Sequence, residues 1–154
     1  MRQFVTFWAS NRLYGVDIDF VKEINTEVSF SPIFHASEKV KGYVNIRGQI
    51  HLVLDLRLIL GFDSDEKLEG KQVIIFKPSI AEPFGVLVDR VGDIIVADDS
   101  QIEAPPKEEG LSEEDQLRFE KVVVQSFCKL EKALLIVLDP RKFLNTIEIP
   151  VTKI

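Results

Sequence analysis

Between Gly61 and Ala97 the chain contains no amphipathic segment of about 10–15 residues, the length a helical crossover between parallel strands requires. That absence argues against a doubly wound α/β sheet. What the chain offers instead is a series of short apolar, β-branched runs broken by Gly, Pro and Asn. Phe4–Trp8 and Leu13–Ile18, with Asn11-Arg12 between them, read as a hairpin. Asp19–Ile24 fits either one helical turn or a bent strand. Further strands are expected at Gly48–Leu54, Gln72–Lys77, Phe84–Asp89, Asp93–Ala97, Val122–Phe127 and Leu134–Asp139. Short strands at this spacing predict a mainly β fold, a barrel or a sandwich.

One helix has a start signal. Ser112 can cap free amides, the acids Glu113-Glu114-Asp115 suit the positive helix end, and Glu114 and Arg118 fall four apart. Ala104–Gly110, with Pro105-Pro106, reads as a loop. No internal repeat, low-complexity tract or domain linker is visible, so residues 1–154 are expected to form one domain.

A chain of 154 residues can bury roughly 70% of its unfolded surface, enough for a sizeable core. No apolar stretch reaches the ~18 residues needed to span a bilayer. The N-terminus enters a strand pattern directly, without the apolar stretch and small-residue cleavage site of a secretion signal. Cys128 is the single cysteine and has no internal disulfide partner. Together these features predict a cytoplasmic protein without direct membrane insertion. The net charge of -6 and the lack of a basic run disfavour nucleic-acid binding.

Reactive chemistry has little to stand on. His35, His51 and Cys128 lack metal-ligand spacing, and alternation with Ile50 and Leu52 places His51 on the outer face of its strand. Asp63-Ser64-Asp65-Glu66 lacks the glycine and distal glutamate of a calcium loop and reads as a solvated turn. Neither a G-x-S-x-G nucleophile elbow nor a phosphate-cradling loop is present. No cofactor is expected.

Asp55 ends the run His51–Leu54 and invites two readings. A phosphate-accepting switch would need a second acidic pair after the first strand, and Trp8-Ala9-Ser10-Asn11 lacks it. The other reading is structural: Asp55 accepts local amides, and Arg57 pairs with it. Gly42 and Gly48, either side of Asn45-Ile46-Arg47, suit a tight turn between apolar strands. Arg47 there is either a generic surface cation or a fixed group at a partner-facing corner.

Several of these segments, in order, resemble the chemotaxis coupling proteins of the CheW family. "FVTFWASNRLYGVDIDFVKEI" is similar to the family's opening hairpin, and "VKGYVNIRGQI" to its Lys-Gly-Val-x-Asn-Leu-Arg-Gly-x-Ile core. "FGVLVDRVGDII" and "LLIVLDPRKFL" resemble its later strands. The resemblance implies two small SH3-like five-stranded β-barrels packed together, with short helices. It also implies an adaptor without catalysis. Such a protein links chemoreceptor tips to the regulatory domain of a CheA-type histidine kinase and helps build receptor arrays. It further implies partner contacts at Val21, Glu23, Ile24 and Arg47, and a receptor-facing groove between the barrels near Val91 and Ile94. Val73 is the candidate for a kinase-facing end. The chain's length speaks against fusion to a kinase or a receiver domain. Two departures stand out: His51-Leu52, where the family often continues with valine and proline, and Ser126 at a glycine position. They leave open a specialised, non-flagellar pathway. The reading from another class is a small-ligand-binding or enzymatic barrel, which would need converging polar groups in a pocket.

Overall fold

The computed structural model describes residues 1–26, 29–33, 36–65, 67, 70–79, 81–105 and 122–147. The expected helix at Ser112 and the candidate His35 lie outside them.

Among the described residues, eleven strands form two sheets. In chain order they are β1 (Arg2–Ala9), β2 (Arg12–Asp17), β3 (Val21–Asn25), β4 (Val40–Ile46), β5 (Gln49–Asp55), β6 (Gln72–Phe76), β7 (Phe84–Val88), β8 (Arg90–Ala97), β9 (Ile102–Glu103), β10 (Val124–Lys129) and β11 (Leu134–Leu138). A four-residue α-helix, α1 (Leu56–Ile59), follows β5, and short 3-10 turns lie among the other described residues. Lobe 1 has the strand order β8-β1-β2-β11-β10-β9, and lobe 2 the order β3-β6-β7-β5-β4. The segment Asp19–Ile24 satisfies both expectations, because a 3-10 turn at Ile18–Phe20 leads straight into β3.

Side-chain alternation explains why two lobes form. Successive residues of a strand face opposite sides. In β6, Val73 and Ile75 face a core private to lobe 2, together with Val44, Val53 and Leu87. Ile74 and Phe76 face a larger core shared with lobe 1. In β1, Phe4 joins lobe 1's private core with Ala97, Cys128, Leu135 and Val137, whereas Val5, Phe7 and Ala9 join the shared one. Runs such as Val73–Phe76 are buried on both faces, and so are continuously apolar rather than alternating. Burial also pushes the Cys128 thiol up.

The lobes repeat one local design that is not evident from the sequence alone. Tyr14-Gly15-Val16 of β2 lies parallel to β11, with Val137 opposite Gly15. Phe84-Gly85-Val86 of β7 lies parallel to β5, with Val53 opposite Gly85. Each partner strand then reads Val-Leu-Asp-x-Arg: Val53–Arg57 and Val137–Arg141. Asp55 and Asp139 each accept the amide of the arginine two residues on, starting a short helix. Gly85 is required by close packing, since a Cβ there would lie 2.5 Å from the Ile74 carbonyl oxygen. The halves share this pentapeptide and an aromatic-Gly-Val tripeptide, pieces too short to stand out in the sequence.

Candidate partner-binding surfaces

The β4–β5 hairpin turns at Arg47-Gly48, with φ of 51° and 83°. Two consecutive positive values are those of the tight turn whose twist suits a hairpin. Asn45 secures it, its side-chain oxygen accepting the Gly48 amide at 2.9 Å. A left-handed arginine is unusual. Its guanidinium leaves the turn and donates to Glu23 of β3 at 2.5 Å. β3 and β4 are the two edges of lobe 2's sheet, so the pair joins one edge to the other. The bond from Arg47 is the main reason the Glu23 carboxyl lies below its ordinary range, against the opposing effect of burial. The second Glu23 oxygen and the Asn25 amide nitrogen are buried without a hydrogen-bond partner among the described residues. Arg47 itself stays 70% exposed, and Ile24, Tyr43 and Ile50 of the same lobe are exposed apolar side chains.

A second surface lies on β8, an edge strand of lobe 1. Val5 faces Ile94 and Phe7 faces Val91 across the β1–β8 ladder. Directly opposed residues share a sheet face, so Ile94 and Val96 continue the face that carries the shared core. Val91 packs against that core. Ile94 and Val96 emerge from it, 55% and 52% exposed. A bulge between Val5 and Phe7 interrupts the register, and there the Thr6 hydroxyl donates to the Asp93 carbonyl.

The structure thus separates the sequence candidates. Glu23 and Arg47 are brought together, with Ile24 exposed on the same strand as Glu23. Val91 packs on the shared core, and Ile94 lies three residues further along the same strand, exposed. Val21 is half-buried against the shared core. Val73 is fully buried in lobe 2's private core, so its side chain is not available as a contact. His51 is also corrected. It is 2% exposed, opposite Val44 on the inner face, and Ile50 takes the outer one. Asp55 has both oxygens engaged, one by the Arg57 amide at 3.1 Å and the other by the Ser64 hydroxyl at 2.9 Å. The Arg57 guanidinium, expected on Asp55, instead reaches Asp89.

The sequence reading missed Tyr43, Ile50 and Val96. The available signals were the alternation in Tyr43–Ile46 and the position of Val96 two residues beyond Ile94.

Both departures from the family pattern place a polar group inside a lobe or alter a ladder. Leu52 donates its amide to the Pro83 carbonyl at 3.1 Å, a bond a proline could not make. Ser126 is 6% exposed at a bulge in β10, and its hydroxyl has no hydrogen-bond partner among the described residues.

Two β sheets around a common core, with exposed apolar residues on an edge strand of the first lobe and an ion-paired turn in the second, define a mainly β protein of two packed lobes. The family model of the CheW-like domain matches residues 3–148, and the chain belongs to that family. Chemotaxis protein CheW of Treponema pallidum (strain Nichols) is 32% identical over 111 residues, covering 68% of this chain and 64% of that protein. The aligned region therefore spans slightly less than two thirds of that relative. Chemotaxis protein CheW of Bacillus subtilis (strain 168) is 26% identical over 141 residues, covering 92% and 85%. Among solved structures, the scaffolding protein TtCheW from Thermoanaerobacter tengcongensis superimposes with a TM-score of 0.78 at 26% identity, covering 92% of this chain and 91% of that one. No helix among the described residues is long and apolar enough to cross a membrane.

Proposed function

We propose that this chain is a non-catalytic chemotaxis-type adaptor that couples chemoreceptor tips to the regulatory domain of a CheA-type histidine kinase and supports array assembly. It acts in the cytoplasm and is recruited to receptors held in the membrane. The observation that carries this reading is the apolar face running out of the shared core along β8 to Ile94 and Val96. A helical receptor tip binds by laying an apolar stripe into such a junction, with polar groups at its rim. Lobe 2 supplies a separate surface around Arg47, Ile24, Tyr43 and Ile50 for the kinase domain. Each contact is expected to bury roughly 800 Å² per partner or less. Array cohesion then comes from multivalency rather than from one tight contact.

Arg47→Ala tests the lobe 2 surface. The expected result is that calorimetric affinity for a kinase regulatory fragment falls about tenfold, as for an interface arginine. The melting temperature should shift by no more than about 2 °C, because the pair is solvent-exposed on the arginine side. Unchanged affinity with a large loss of thermal stability would assign Arg47 to the fold alone.

A further inference from the structure

The chain passes from lobe 2 to lobe 1 through Asp89, the one residue between β7 and β8. The Asp89 amide donates to the Trp8 carbonyl of β1 at 3.0 Å. Its carboxylate accepts Nε and Nη2 of Arg57 at 2.8 and 2.7 Å. It also accepts the Ser10 amide at 2.9 Å. Arg57 belongs to α1 of lobe 2, where the Asp55 cap fixes its backbone. Ser10 belongs to the β1–β2 turn of lobe 1, held with φ of 52° and followed by Asn11 at 63°. One carboxylate therefore grips both lobes, and its fork geometry with Arg57 is directional. Two residues on, the Val91 amide donates to Oε1 of Gln72 in β6 at 2.7 Å, a second tie between the lobes. In the same turn region, Arg12 lies over the Phe62 ring beyond α1. These ties converge on the start of β8, the strand that presents Val91, Ile94 and Val96.

Burial alone would push the Asp89 carboxyl up, yet the bonds from Arg57 and Ser10 hold it below its ordinary range. The group is thus a charge committed to these two partners, with 22% of its side chain exposed.

We propose that Asp89, through Arg57 and Ser10, is a positioning residue for the β8 surface: it staples the two lobes and sets the strand from which Ile94 and Val96 meet a receptor tip, without touching that partner itself. The proposal rests on the reading of β8 as the receptor-facing surface. It makes a further statement, that loss of the staple weakens one partner selectively. The Arg47 surface lies on lobe 2 and does not depend on where β8 sits.

The test compares the full chain with Asp89→Asn and Arg57→Lys. Asparagine keeps the size but loses the charge, and lysine keeps the charge but loses the fork. Three quantities are read: affinity for a receptor-tip helical hairpin, affinity for a kinase regulatory fragment, and amide hydrogen exchange along β8 in the free chain. With Asp89→Asn, receptor-tip affinity is expected to fall at least about fivefold and kinase affinity to change less than about twofold, the size expected when a charged hydrogen bond is removed. Exchange at Asp89 and Val91 should quicken. Arg57→Lys should show the same selectivity at smaller amplitude, and it decides the matter if Asp89→Asn does not fold. Equal loss of both affinities, or unchanged receptor affinity, would overturn the proposal. If the parent chain binds neither fragment, the adaptor reading fails instead, and unchanged β8 exchange in the variants would then overturn the staple independently.

Discussion

Ile94→Asp should cut affinity for a receptor-tip hairpin at least about tenfold, the loss expected when an apolar anchor is replaced by a charge at an interface centre. Ile94 is 55% exposed on an edge strand, so the folded monomer gains little from its burial. An aspartate there stays hydrated in the free chain and must be stripped of water, unpaired, when an apolar helix stripe covers it. Stability should therefore shift by no more than about 0.5 kcal/mol, as for surface substitutions away from special features. Affinity for the kinase fragment should not change. Fluorescence anisotropy with a labelled hairpin checks the first statement and thermal melting the second. A variant that binds the hairpin like the parent would remove β8 from the interface.

Phe76→Ala should destabilise the whole molecule by about 3–5 kcal/mol, the usual cost of emptying a buried phenylalanine site. Phe76 is 1% exposed. Its ring lies 5.0 Å from that of Phe84 and 5.8 Å, edge-on, from that of Phe143. Phe76 and Phe84 belong to lobe 2, and Phe143 comes from the segment that follows the last strand of lobe 1. All three lie in the core the lobes share. A protein of this size is stable by about 5–15 kcal/mol, so the loss is a large fraction of the total. Trp8 is the single tryptophan and sits in lobe 1, which makes its fluorescence a probe of the lobe that was not mutated. Urea unfolding followed at Trp8 should move to a lower midpoint, together with the circular dichroism signal. An unchanged Trp8 transition would mean that the lobes unfold separately and that the common core does not couple them.

Much of the fold was legible because its punctuation is local. The β1–β2 hairpin, the turn at Arg47-Gly48 and most strands follow from β-branched runs and glycine placement. The inward or outward sense of side chains was not legible where a strand is buried on both faces. His51-Leu52-Val53-Leu54 shows no alternation, so the side His51 takes depends on the hairpin register, in which Ile50 faces out. Val73 was misplaced for the same reason. A continuous apolar run does not reveal which members face a private core and which an accessible surface. The turn implied an apolar strand before it, but the bounds of β4 were not legible because its residues mix Lys41, Gly42 and Asn45 with apolar ones. The Arg57–Asp89 pair joins positions separated by 32 residues, with no local signal to link them, so the nearer Asp55 looked the natural partner. Resemblance supplied the pairing of lobes, and the sheet orders give its form here, six strands and five among the described residues.

The two proposed surfaces lie on different lobes, so both partners are expected to bind at once. The measurement that tests this most directly is light scattering on a size-exclusion column, with the full chain mixed with a kinase regulatory fragment and a receptor-tip hairpin. A complex containing one copy of each is expected, formed in either order of addition. Displacement of one fragment by the other, or failure of the full chain to retain either at tens of micromolar, would contradict it.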